Sequence, residues 1–130
     1  MKFFISPCDV LLPKNYEEAE EDIDVVVQPD IFVVCDDKKI TKEYCLGSPD
    51  WIIEIASPSS PSRDYVNKLH LYEKHKVTEY WIVNYIRQEV TVYRLNKEKE
   101  YDVPEIYKVD DNIKVGIFED LIIDMKEIFE

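Results

Sequence analysis

Residues 51–56 of this chain read WIIEIA, an apolar run with one carboxylate inside it. Alternation along a β-strand would place Glu54 on the same face as Ile52 and Ala56. Because the other face is apolar as well, the run predicts a strand that is buried on both sides. A carboxylate there is costly unless it is paired, protonated or bound to a metal. Glu54 is therefore either a functional residue or a glutamate held by a salt bridge or by backbone groups.

The segments after this strand predict the rest of the fold. Residues 57–62, SPSSPS, end the strand, and residues 63–76 carry apolar side chains at three-residue spacing, with Ser62 as the predicted N-cap. Strands followed by one helix and then by more strands predict an α+β or mixed-sheet α/β domain. The later predicted elements are a hairpin of strands within 77–85 and 90–95, two weaker strands near 106–109 and 113–117, and a terminal helix near 125–129.

The segments before residue 51 predict less regular structure. Residues 9–12 predict the end of a short strand, and the acidic run at 14–24 predicts a solvated loop. Residues 25–34 are rich in β-branched side chains and predict one strand that is interrupted or bent at Pro29. Residues 36–49 are polar and predict a loop.

The composition fits one domain, residues 1–130, with enough apolar residues for a core. The net charge of −12 argues against a simple nucleic-acid binder, although bound cations can supply the positive charge that phosphodiesters require. Three cysteines without a CxxC motif argue against both a disulfide framework and a zinc finger. The chain has no apolar stretch of membrane-spanning length and no signal peptide. These features predict a reduced, cytoplasmic protein that does not enter a membrane.

Asp30 occurs in a setting similar to that of Glu54, because it follows Pro29 within an apolar run. Bends in strands are common beside active sites, although aspartate is also a frequent turn residue. Together, Asp30 and Glu54 indicate a metal site more strongly than either residue does alone. Two carboxylates on adjacent strands can hold Mg²⁺ or Mn²⁺ through oxygen ligands.

Lys68 and Asp64 are four residues apart on the predicted helix and so share one of its faces. Spacing alone favours a surface ion pair. A functional role requires that this face look back at Glu54, which the short connection after the strand permits. A lysine there could hold the attacking water or the scissile phosphate.

Taken together, these residues resemble the Uma family of restriction-endonuclease-like proteins, which belongs to the PD-(D/E)xK nuclease superfamily. The resemblance covers Ser6–Leu95 and is specific, because four separated blocks agree in order. The blocks are QPDI at 28–31, PDWIIEIASPS at 49–59, RDYVNKL at 63–69 with Tyr72, and VTEYWIV at 77–83.

The resemblance implies a restriction-endonuclease-like mixed β-sheet core with flanking helices. It also implies that Asp30 and Glu54 are the metal-binding carboxylates, with Mg²⁺ or Mn²⁺ as the cofactor. The superfamily usually carries a lysine two residues after the glutamate, where this chain has an alanine, and the resemblance implies that Lys68 takes that role from the helix. Asp64 and Gln28 are the expected supporting residues.

One departure from the family pattern concerns the N-terminus. Relatives carry a further segment ahead of residues 6–10, with a first helix and an acidic residue near the site. The expectation for this chain is that the N-terminal helix region is missing. Its loss would expose apolar surface, favour a homodimer or weaken catalysis.

Three functions follow as hypotheses. The first is a metal-dependent endonuclease acting on nucleic acid, with DNA as the expected substrate. The second is a catalytically degenerate, acidic protein-interaction module that keeps the nuclease fold. The third is a metal-binding hydrolase that acts on another phosphate ester through the same residues.

Overall fold

The computed structural model describes residues 1–15, 17–57, 59 and 62–129, except for the side chains of residues 62 and 63. Two short 3₁₀ helices cover Glu20–Asp22 and Asp37–Lys39, and two α-helices cover Ser62–Lys74 (α1) and Met125–Ile128 (α2). The strands are Lys2–Ile5 (β1), Asp9–Leu11 (β2), Val26–Val27 (β3), Ile31–Val34 (β4), Tyr44–Leu46 (β5), Trp51–Ala56 (β6), Glu79–Asn84 (β7), Glu89–Arg94 (β8), Glu105–Lys108 (β9), Asn112–Lys114 (β10) and Ile122–Asp124 (β11).

Six strands form the central sheet, in the order β1-β4-β6-β7-β8-β9. Strands β6 and β7 pair in parallel and are joined through α1, whereas every other neighbouring pair in this sheet is antiparallel. A parallel pair needs such a crossover, because a tight turn can join only antiparallel strands. The sheet is therefore mixed, as the sequence predicted.

Each face of the sheet carries its own core. On one face, Phe32, Ile52 and Tyr80 are fully buried together with Tyr72 of α1. On the other face, Trp51 and Trp81 lie with ring centroids 4.7 Å apart and belong to the buried cluster that the C-terminal segment completes. Burial on both sides explains why β6 is apolar at nearly every position. Ile55 is apolar but not buried, since half of its side chain is exposed.

A buried ion pair joins the sheet to the C-terminal segment. Glu79 of β7 is 1% exposed, and its carboxylate accepts hydrogen bonds from Arg94 Nε at 3.2 Å and from the Ile117 backbone N–H at 2.8 Å. Arg94 also donates to the Lys114 carbonyl at 2.7 Å. Gly116 packs closely against this pair, because a Cβ at that position would lie 3.0 Å from the Glu79 carboxylate and would require the carboxylate to shift.

Three predictions of local structure are wrong. Residues 25–34 are interrupted around Pro29 as predicted, but they do not form one strand, because β3 pairs with β2 in a separate three-stranded sheet while β4 enters the central sheet. The predicted loop at 36–49 contains β5, which pairs in parallel with β2. The acidic run predicted as a loop contains the 3₁₀ helix at Glu20–Asp22. These short elements depend on distant partners, and β5 is only three residues long.

The longer elements are confirmed. The strands at 51–56, 79–84 and 89–94 and both α-helices form where their periodicity predicted them. The predicted N-cap role of Ser62 concerns a side chain outside the described set. Within the described residues, no helix is both long enough and apolar enough to cross a membrane.

Candidate active site

Asp30 and Glu54 lie side by side because β4 and β6 are antiparallel neighbours, with Ile31 opposite Ile53. The Glu54 Oε1 atom accepts a hydrogen bond from the Asp30 backbone N–H at 2.8 Å. In return, Asp30 Oδ2 accepts one from the Ile55 backbone N–H at 2.7 Å. Each carboxylate is thus fixed by the main chain of the other strand, which sets both positions without a flexible partner.

The second oxygen of Glu54 faces α1. Glu54 Oε2 accepts hydrogen bonds from Lys68 Nζ at 2.6 Å and from the Tyr72 hydroxyl at 3.3 Å. The Glu54 side chain is 3% exposed, whereas that of Lys68 is 39% exposed. Lys68 and Tyr72 are four residues apart and share the helix face that looks back at β6. The buried carboxylate is therefore compensated by one charge and two neutral donors.

Two tyrosines lie beneath this carboxylate. Burial, together with the nearby negative charge of Glu54, raises the pKa of Tyr72 and of Tyr80 above the ordinary tyrosine value. Both hydroxyls therefore stay protonated and can act only as neutral hydrogen-bonding groups. The Tyr80 hydroxyl is buried and has no hydrogen-bond partner among the described residues.

The contact between the Tyr72 hydroxyl and Glu54 was not predicted from the sequence. The signal was present, since Tyr72 follows Lys68 by one helical turn. A helix face that turns Lys68 towards a buried carboxylate also turns Tyr72 towards it. Burial of the Tyr72 ring in the core and donation by its hydroxyl are therefore compatible.

The two expected supporting residues lie away from this arrangement. Gln28 donates from its side-chain Nε2 to Asp9 Oδ1 at 2.6 Å, which links it to β2 and not to Glu54. Asp64 is exposed and makes no ion pair within the described part of the chain. The surface pair that spacing favoured between Asp64 and Lys68 does not form, because Lys68 reaches Glu54 instead.

The donor set suits a hard divalent cation. Asp30 and Glu54 present carboxylate oxygens from adjacent strands, which is the ligand type that Mg²⁺ and Mn²⁺ prefer. Among the described residues, no cluster of three or more histidine, cysteine or acidic side chains is placed to hold a metal. Mg²⁺ retains several waters and often uses only one or two carboxylates, so two acidic residues are sufficient.

The mixed sheet, with α1 across its parallel strands and an acidic pair formed by Asp30 directly before β4 and Glu54 in β6, defines a restriction-endonuclease-like α+β fold. The chain belongs to the Uma2 family, described as "Putative restriction endonuclease", whose model matches residues 5–126. A crystal structure of a putative nuclease belonging to DUF820 from Anabaena variabilis ATCC 29413 is similar, with a TM-score of 0.73 and 21% sequence identity. The similarity covers 98% of this chain and 67% of that one. No curated protein matches the sequence.

Proposed function

We propose that this chain is a metal-dependent endonuclease that hydrolyses phosphodiester bonds of nucleic acid, with DNA as the substrate. The observation that carries the proposal is the buried Glu54 carboxylate, held 2.6 Å from Lys68 and beside Asp30 on the neighbouring strand. Membership of the Uma2 family supports the same chemistry. An acid pair that can hold a divalent cation, with a lysine beside it, suits phosphodiester hydrolysis.

Asp30 and Glu54 would hold Mg²⁺ or Mn²⁺, which when bound lowers the pKa of a ligated water and offsets phosphate charge. The chain's own residues supply position and charge. Backbone donors from Asp30 and Ile55 fix the two carboxylates, and the Tyr72 hydroxyl restrains Glu54 from the helix side. Lys68 is partly exposed, so its ammonium group can reach a phosphate oxygen and stabilise the charge that develops there.

The test is a cleavage assay on duplex DNA, single-stranded DNA and RNA with Mg²⁺, with Mn²⁺ and with EDTA. We expect metal-dependent cleavage that falls by about 10²-fold or more in Glu54→Gln, Asp30→Asn and Lys68→Met. Glu127→Gln and Lys97→Met are matched controls, because both residues are exposed and lie outside the site. Calorimetric Mn²⁺ titration gives a second readout, with binding lost in Glu54→Gln and Asp30→Asn.

Two results would overturn the proposal. A folded wild-type protein that leaves every nucleic acid intact is not a nuclease, and cleavage that survives Glu54→Gln does not arise at this site. Cleavage of other phosphate esters without cleavage of nucleic acid would favour the related hydrolase. The three unpaired cysteines fit a reducing compartment, so we place the protein in the cytoplasm.

A second candidate function has its own support. The exposed apolar side chains of Phe3 and Ile5 on edge strand β1 suit an interaction module that retains the fold. Its expected form is a homodimer joined through β1. Light scattering of the wild type and of Phe3→Lys tests it, since a monomer in both cases would exclude this interface.

A further inference from the structure

A cleft far from Glu54 carries positive charge in an otherwise acidic protein. It has a volume of about 540 Å³, and its lining includes four lysines but only two carboxylates, those of Glu18 and Asp50. The whole chain has 28 acidic and 16 basic residues, so the local balance is the reverse of the overall one. The lysines are Lys14, Lys39, Lys74 and Lys76.

Three of these lysines have no carboxylate partner. Within the described ranges, Lys39, Lys74 and Lys76 form no ion pair, and only Lys14 approaches a carboxylate, that of Asp24, at 3.9 Å. The two carboxylates that line the cleft accept backbone hydrogen bonds instead. Asp50 accepts from Cys35 N–H at 2.7 Å, and Glu18 accepts from Lys14 N–H at 3.3 Å.

The acidic run before the cleft does not neutralise it either. Residues 17–22 precede Ile23, which lines the cleft, and Glu20 is engaged by the Tyr44 hydroxyl at 2.5 Å. None of the described acidic residues of this run lies within ion-pair distance of Lys39, Lys74 or Lys76. Two of these ammonium groups donate to backbone carbonyls, Lys39 to Ser48 at 2.9 Å and Lys76 to Lys99 at 3.3 Å. Since an ammonium group has three N–H donors, each keeps donors for an external anion.

The C-terminus of α1 contributes to this cleft, and its carbonyl groups would ordinarily repel an anion. Three of those carbonyls have donors within the chain. The carbonyls of Leu71, Tyr72 and Glu73 accept backbone N–H donors, and just beyond the helix the His75 carbonyl accepts the Ser48 hydroxyl at 2.5 Å. These hydrogen bonds weaken the negative end of the helix, and the lysines are the charged groups that predominate in the cleft lining.

One wall of the cleft is built by close packing against a glycine. Gly47 has a φ of +112°, and a Cβ there would lie 3.4 Å from the Lys39 Cδ atom. The Lys39 ammonium donates to the Ser48 carbonyl at 2.9 Å. The stem of Lys39 is thus held along the loop, so its charge has a fixed place in the cleft.

We propose that this cleft binds phosphate groups, and that its ligand is the backbone of the nucleic acid whose cleavage is proposed above. The substrate class rests on that proposed function, whereas the anion site does not. Glu54 follows Asp50, which lines the cleft, by four positions, a rise of about 13 Å along an extended chain. Lysine contacts to phosphates position a strand without reading its sequence. The cleft would therefore strengthen binding and leave the chemistry to the Glu54 site.

The test is fluorescence anisotropy of a labelled single-stranded oligonucleotide in EDTA, over a range of salt concentrations. Lys74→Gln/Lys76→Gln is compared with Lys97→Gln/Lys114→Gln, which removes the same charge from exposed lysines outside the cleft and outside every ion pair of the described chain. Each lost phosphate contact reduces the salt slope by about 0.7 for a single strand, so the cleft variant should lose about 1.4. The control should retain most of the wild-type slope.

Glu54→Gln separates the two proposals. It should abolish cleavage in Mg²⁺ but leave the salt slope in EDTA unchanged. Strand binding by a wild-type protein that cleaves no nucleic acid would instead retain the cleft and reject the nuclease. Titration with sodium phosphate, followed by NMR shifts around Lys74 and Lys76, identifies the alternative source of the anion. Phosphate binding without oligonucleotide binding would support the anion site and reject the strand as its ligand. Equal losses in both double variants, or loss in neither with no phosphate shifts, would overturn the proposal.

Discussion

Replacing Lys68 by methionine tests how strongly the site depends on its one ion pair. The change keeps most of the aliphatic stem but removes the ammonium that lies 2.6 Å from Glu54 Oε2. Removing one partner of a fully buried ion pair costs about 3–5 kcal/mol. Because the Lys68 side chain is 39% exposed, water screens part of this interaction. The Asp30 N–H and the Tyr72 hydroxyl also remain in place, so we expect a loss of about 1–2 kcal/mol.

The measurement is a double-mutant cycle by urea denaturation with Lys68→Met, Glu54→Gln and the double variant. We expect a coupling of about 1 kcal/mol or more, since the two side chains are in direct contact. Lys126→Met is the control, because Lys126 lies 3.8 Å from Asp110 with both side chains largely exposed, and it should cost less than about 0.5 kcal/mol. A cost for Lys68→Met no larger than that of the control would refute the reasoning.

Three further predictions concern other regions. Arg94→Met leaves the Glu79 carboxylate buried and without its cation, so the free energy of unfolding should fall by about 3 kcal/mol in urea denaturation; a loss under about 1 kcal/mol would contradict this. Burial, with repulsion from Lys74, lowers the pKa of His75, so the folded chain binds that proton less readily than the unfolded chain, and stability should decline as the pH falls below about 6.5. His75→Gln should flatten that decline in pH-dependent thermal melts. Burial raises the pKa of Cys45 to about 11, so iodoacetamide should modify Cys35 before Cys45 in native peptide mapping.

The part of the fold that could be predicted from the sequence is the part specified by local periodicity. Strand β6 and helix α1 have patterns long enough to identify them, and the short connection between them places Lys68 near Glu54. The pair of Asp30 and Glu54 followed from two carboxylates in apolar runs. The roles of these residues in catalysis stay predictions.

What could not be predicted depends on partners that are distant in the chain. Strand β5 exists because β2 pairs with it, and β2 lies over thirty residues earlier. Gln28 was expected at the site through the resemblance alone, and its amide turns to Asp9 because β3 leaves the central sheet.

Helix α1 supplies Lys68 to the Glu54 site and Lys74 to the lysine-lined cleft, and this limits where the chain can accept insertions. Lys68 and Lys74 are six residues apart on one continuous helix, which separates them by a rise of about 9 Å. One residue inserted between them would rotate everything downstream by about 100° and so carry Lys74 and Lys76 off the cleft. Insertions are therefore expected in the connection before α1 and in the β8–β9 turn, and not inside the helix. Homologous chains can therefore alter the length of α1 only if the Glu54 site and the lysine-lined cleft change together.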